Sequence, residues 1–118
     1  MLRIGSTVLG ASDVRRAAEF WGRALGYVPR DEIEERWAVL SPADGVGQNI
    51  SLMLTSTPVQ EKPRVHLDLY TATPEAEIER LLELGAQRVD WDSYPPDADF
   101  TVLADTEGNR FCVIDKTR

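Results

Sequence analysis

Apolar residues recur at helical spacing between positions 14 and 25. Val14, Ala17, Ala18, Trp21, Ala24 and Leu25 fall on one stripe, which predicts an amphipathic helix. Ser12 or Asp13 can cap it, because a side-chain oxygen there accepts an orphan backbone N–H. Gly26 follows the last apolar position, where a left-handed stop suits glycine. A second helix is predicted over residues 74–84, with Thr73 as cap, Pro74 at the first helical position and Ile78, Leu81 and Leu82 as its stripe. Gly85 ends it. Between and around the helices the pattern turns to period two, the mark of half-buried strands. Residues 64–70 alternate, with Val65, Leu67 and Leu69 on one face and His66, Asp68 and Tyr70 on the other. Further strands are predicted over 3–10, 27–31, 36–41, 49–55, 87–91, 100–104 and 110–115, separated by segments rich in Pro, Gly, Asp and Asn.

The order repeats. Strand, helix, glycine stop and three strands occur twice, and Gly26 and Gly85 are separated by half the length of the chain. Two copies of a βαβββ unit are therefore expected, module one over about 1–57 and module two over about 63–118, within one α+β domain spanning 1–118. The length of 118 residues suits one such domain and excludes two larger ones.

Composition changes this picture in one respect. Asp and Glu outnumber Lys and Arg by 20 to 13, for a net charge of −7. An acidic surface repels phosphate backbones and anionic lipid, which argues against nucleic-acid and membrane partners. Cys112 is the single cysteine, so no intrachain disulfide forms. With no long apolar run near the start and none of spanning length, the expected setting is the cytoplasm.

Several segments carry a resemblance to a known family: Ser12-Asp13, Phe20-Trp21 and Leu25-Gly26; Arg64-Val65-His66-Leu67-Asp68-Leu69; Leu84-Gly85-Ala86; and Thr101-Val102-Leu103-Ala104-Asp105-Thr106-Glu107-Gly108-Asn109-Arg110-Phe111-Cys112-Val113. Together they resemble the vicinal oxygen chelate superfamily of glyoxalases, bleomycin-resistance proteins and extradiol dioxygenases. The resemblance implies two βαβββ modules forming a cleft, with helices on the outer faces. It also implies, for many members, a divalent metal held by side chains on the first and last strands of each module. Carried over by position, those places are Ser6 and His66 on the first strands, then Ser51 or Met53 and Cys112 on the last. His66 alone is an ordinary ligand, and a His–Cys pair is short of a four-ligand site. The expectation is accordingly a cleft with no resident cofactor, a divalent metal at His66 and Cys112 being the alternative.

The candidate ligand-binding residues are His66, Asp68, Tyr70, Met53 and Trp37. His66 and Asp68 project to one side of their strand, as a ligand-contacting pair with acid–base capacity or as a hydrogen-bonded structural pair. Tyr70, Met53 and Trp37 would supply a flat organic ligand with aromatic and sulfur contacts, Trp37 fitting core as well as cleft. Cys112, between Phe111 and Val113, reads as a small buried hydrophobe. The acidic loop 90–99 lacks a calcium-loop pattern and reads as solvated or as a ligand cover. No Arg or Lys clamp is evident, so neutral or cationic ligands are expected. The leading function is small-molecule binding, of drug- or metabolite-sequestering type. A metal-dependent lyase, isomerase or dioxygenase is the alternative, and an interaction module without catalysis the third class. A two-fold homodimer is expected, since short sheets leave edges and apolar faces to cover.

Overall fold

Asp13 starts the first helix of the chain. Its carboxylate accepts the N–H of Arg16 at 3.1 Å, and Gly26 closes the helix with φ of 69°. The computed structural model describes residues 1–117, and it divides into two units, Met1–Pro58 and a second starting at Val59. The first unit runs β1 (Ser6–Ala11), α1 (Val14–Leu25), β2 (Tyr27–Pro29), β3 (Trp37–Pro42) and β4 (Asn49–Leu54). Its sheet order is β1-β4-β3-β2, with β1 parallel to β4 and the other pairs antiparallel. Strand alternation puts Ala38, Leu40, Ile50 and Leu52 on one face, and all four are buried. α1 packs on β2, β3 and β4. Its Trp21 is 1% exposed and meets Phe20 edge to face at 5.1 Å. Trp21 thus packs in the core.

The second unit repeats this topology. It runs β5 (Asp68–Thr71), α2 (Pro74–Leu84), β6 (Gln87–Arg88), β7 (Phe100–Ala104) and β8 (Arg110–Asp115). Its sheet order is β5-β8-β7-β6, with β5 parallel to β8. Thr73 stands at the N-cap of α2 without a side-chain cap bond, and Pro74 fills the first turn. The fold is α+β, with two four-stranded sheets and the βαβββ order expected from the repeat.

Both β7 and β8 depend on a tight turn that the sequence spells out. The Asp105 carboxylate is 2% exposed and accepts the N–H groups of Glu107 and Asn109, each at 2.9 Å, and the Asn109 side-chain amide at 3.2 Å. Gly108 takes φ of 91°, where a side chain would be strained. This turn fixes how β7 pairs with β8, opposing Val102 to Cys112.

Five strands are shorter than predicted: β2 ends at Pro29 and β4 at Leu54, and β1, β5 and β6 start or stop well inside their expected bounds. Asp68 pairs with Cys112, so residues ahead of position 66 run past the start of β8 and find no strand to pair with. Val65, expected on the buried face, is 80% exposed for that reason. Residues 3–5 run past β4 in the same way, because Ser6 already pairs with its first residue, Asn49. β6 stops after two residues. The Val102 N–H then donates to the Tyr94 phenol oxygen at 2.8 Å, where a longer β6 would have offered a carbonyl. Among the described residues, no helix is long and apolar enough to cross a membrane.

Candidate functional site

The period-two geometry of β8 places Arg110, Cys112 and Ile114 on one face and Phe111 and Val113 on the other. α2 packs on β8. Across the parallel pairing, Asp68 stands opposite Cys112 and Tyr70 opposite Ile114. Across the antiparallel one, Val102 stands opposite Cys112 and Phe100 opposite Ile114. Val102, Cys112 and Ile114 form a buried apolar cluster, with Trp91 and Phe100 packed against it. Above this floor lies a cavity of about 500 Å³ whose walls include His66, Asp68, Tyr70, Trp91, Phe100, Arg110 and Lys116. The acidic loop contributes Trp91, Ser93 and Asp99 to it. That loop is held by Tyr94 stacked at a tilt on Phe100, 5.2 Å between centroids, and by a Lys62–Asp92 ion pair of 3.1 Å. Lys62, hydrogen-bonded to Asp92, keeps that carboxyl below the usual carboxylate range.

His66, Asp68 and Tyr70 are brought together here. His66 precedes β5 rather than sitting within it, and its Nε2 lies 3.0 Å from Oδ1 of Asp68. The two side chains are 43% and 46% exposed, so both reach solvent or a ligand. Cys112 is buried, and desolvation together with the neighbouring Asp68 carboxylate pushes its thiol up to about 11. It is therefore a protonated thiol at neutral pH and a poor nucleophile. Tyr70 is 68% exposed, with Lys116 Nζ 4.9 Å from its ring centroid.

Trp37 and Met53 belong to the first unit. They oppose one another across β3 and β4 in the first unit, 37% and 47% exposed. The pocket's wall is built from the second unit, where Trp91 and Phe100 supply the aromatic surface. The expected absence of a basic group is corrected, because Arg110 and Lys116 both line the cavity. The alternation that placed Cys112 on β8 puts Arg110 on the same face, and that signal was present in the sequence.

The first unit answers which of Ser51 and Met53 matches Cys112. Val8 pairs with Ser51 as Asp68 pairs with Cys112. Ser6 and Ser51 therefore match His66 and Cys112, and their hydroxyls share a hydrogen bond of 2.6 Å. In the second unit, donor atoms of His66, Asp68 and Cys112 lie within 4.8 Å of one another. An imidazole, a carboxylate and a thiol form a donor set that suits a borderline ion such as zinc, with one position left open. Asp68, taken as a ligand contact from the sequence, is the third member that completes this group.

The sequence profile of the glyoxalase-like domain family matches residues 6–114. No curated protein matches the chain in sequence. Among solved structures, the fosfomycin resistance protein FosX from Listeria monocytogenes is similar with a TM-score of 0.75 at 14% identity, over 99% of this chain and 93% of its own. A glyoxalase/bleomycin resistance protein/dioxygenase family enzyme from Burkholderia phytofirmans has a TM-score of 0.73 at 13% identity, over 97% of this chain and 98% of its own. A glyoxalase-related enzyme from Fulvimarina pelagi has a TM-score of 0.71 at 17% identity, over 98% of this chain and 89% of its own. At these identities the likeness is one of fold.

Proposed function

The chain belongs to the glyoxalase-like domain family, within the vicinal oxygen chelate superfamily, and from that premise we propose that it binds a small organic molecule in the pocket of its second unit. The observation that carries this reading is the cavity itself, an apolar floor of Val102, Cys112 and Ile114 rimmed by His66 and Asp68. An aromatic ring burying about 150–250 Å² there gains about 4–6 kcal/mol. Association costs at least about 4 kcal/mol. Apolar walls alone thus hold a ligand weakly, and the polar groups decide its affinity and orientation. His66 and Asp68 are placed to exchange hydrogen bonds or a proton with it.

Native mass spectrometry of protein from its own cell tests this. A co-purifying mass of a few hundred daltons, lost in His66→Ala, supports the reading. Bare protein, with no organic compound shifting its thermal midpoint in a broad screen, overturns it.

A metal-assisted lyase, isomerase or dioxygenase is the second reading, favoured by the His66, Asp68 and Cys112 donor group. A divalent ion there would act as a Lewis acid toward substrate oxygens. Holding it requires the Cys112 thiol to give up its proton, which makes uptake rise with pH. Elemental analysis of untagged protein distinguishes the two readings, since a stoichiometric metal lost in His66→Ala establishes the second.

The homodimer and cytoplasmic setting belong to this proposal too. Val8, Val28, Trp37 and Met53 are partly exposed apolar side chains of the first unit's sheet, which supports association. The free thiol of Cys112 suits a reducing compartment. Light scattering at high micromolar concentration checks the dimer, and a monomer mass overturns it.

A further inference from the structure

Arg110 stands out among the groups around the pocket. Its Nη1 donates to the carbonyl of Gly108 at 3.0 Å, which fixes the guanidinium against the Asp105–Asn109 turn. Its Nε is buried and has no hydrogen-bond partner among the described residues. The residue as a whole is partly exposed and lines the cavity, and a guanidinium of this kind ordinarily takes an anion as its partner. Among the described residues no carboxylate pairs with it. The other charges differ. Asp68 lies beside the His66 imidazole and the Cys112 thiol. Lys116 lies over the Tyr70 ring. Asp99 sits at the same end as Lys116, since the carbonyl of Asp99 accepts the N–H of Asp115 at 2.7 Å.

Resting on the pocket reading proposed above, we infer that the ligand is a small organic acid whose carboxylate is held by Arg110. Its apolar body lies on Val102 and Ile114, against Trp91 and Phe100. A planar guanidinium matches a carboxylate better than any other group in the cavity, and charge-assisted bonds are roughly twice as strong as neutral ones. The net charge of −7 does not decide the matter. At physiological salt, exposed charges beyond about 8 Å are screened, so the groups on the wall set the local preference.

Calorimetric titration of the full chain with three compounds of one shape tests this: indole-3-acetate, indole-3-acetamide and tryptamine. The carboxylate is expected to bind at least about tenfold tighter than the amide, with the amine weakest. Arg110→Gln should remove that advantage, and Arg110→Lys should keep part of it. Equal or tighter binding of the amide or the amine to the native protein overturns the inference while leaving the pocket reading standing. A folded Arg110→Gln that keeps the full preference does the same. No binding of any of the three at millimolar concentration overturns both. If Arg110→Gln does not fold, the comparison of the three compounds on native protein decides alone.

Discussion

The two halves of this chain share a topology and differ in what they place at two matched positions. In the first unit Ser6 and Ser51 occupy them and satisfy each other at 2.6 Å. In the second, His66 and Cys112 occupy them, and Asp68 joins the group within 4.8 Å. The backbone register is the same, since Val8 pairs with Ser51 as Asp68 pairs with Cys112. A repeat therefore fixes where side chains project and leaves their chemistry free. Two hydroxyls that bond one another neither titrate near neutrality nor hold a metal. An imidazole, a carboxylate and a thiol are donors of the kind that can hold a metal, so the second unit carries the candidate chemistry and the first serves as its structural counterpart.

The sharpest test of that likeness lies in the cores. Leu52 of β4 and Leu103 of β7 are each 0% exposed. Leu52→Ala and Leu103→Ala should each cost about 2–5 kcal/mol, through lost transfer energy and the cavity left behind. Urea denaturation measures this, and a cost under about 1 kcal/mol in one alone would break the equivalence of the two cores.

Next in size is a pH effect confined to the second unit. The Cys112 thiol titrates at about 11 in the folded protein, against 9.0 as the ordinary value. Below pH 9 both states keep the proton and its contribution is complete. As pH rises from 9 to 11 the unfolded chain ionises first, and about 2–3 kcal/mol of stability is lost. Cys112→Ser installs the residue that the first unit has there, and should lose less stability over that window than the native chain. The same raised value predicts alkylation by iodoacetamide at pH 8 about 100-fold slower in the folded than in the unfolded chain. Matching rates would show that the burial argument fails.

Smaller effects follow at the serine pair. Ser51 is 1% exposed, so Ser6→Ala strands a buried hydroxyl and should cost about 1–2 kcal/mol. Ser51→Ala leaves only the exposed Ser6 hydroxyl, which water satisfies, and should cost less in the same thermal or urea measurement. The smallest stability change is expected at His66. Its side chain is 43% exposed, so His66→Ala should move stability by less than about 0.5 kcal/mol while reducing ligand or zinc uptake. A large loss of stability with uptake intact would recast His66–Asp68 as a structural pair, and would return the two units to equal standing.

Much of this was legible in the chain. Both helices, their glycine stops and the bounds of β7 and β8 follow from local causes: an apolar stripe, a capping carboxylate, and a turn whose Asp105 and Gly108 satisfy its own backbone. The βαβββ repeat was legible because each copy writes the same periodicities in the same order. The alternation that put His66 and Asp68 on one side also holds in space. What the chain could not supply was register and closure. Whether Ser51 or Met53 matches Cys112 depends on how β1 lies against β4, and a slip along a strand changes every partner. The length of β5 depended on where β8 begins, far away in sequence, which left Val65 in solvent. The pocket's aromatic wall came from Trp91 and Phe100, set by the Tyr94 hydroxyl reaching β7, while Trp37 and Met53 oppose one another on the first unit's sheet. Local pattern reports which face a side chain takes on its own strand. Which distant residues share that face is settled only when the strands pair, because the hydrogen bonds and contacts that choose the partner do not exist in the isolated segment.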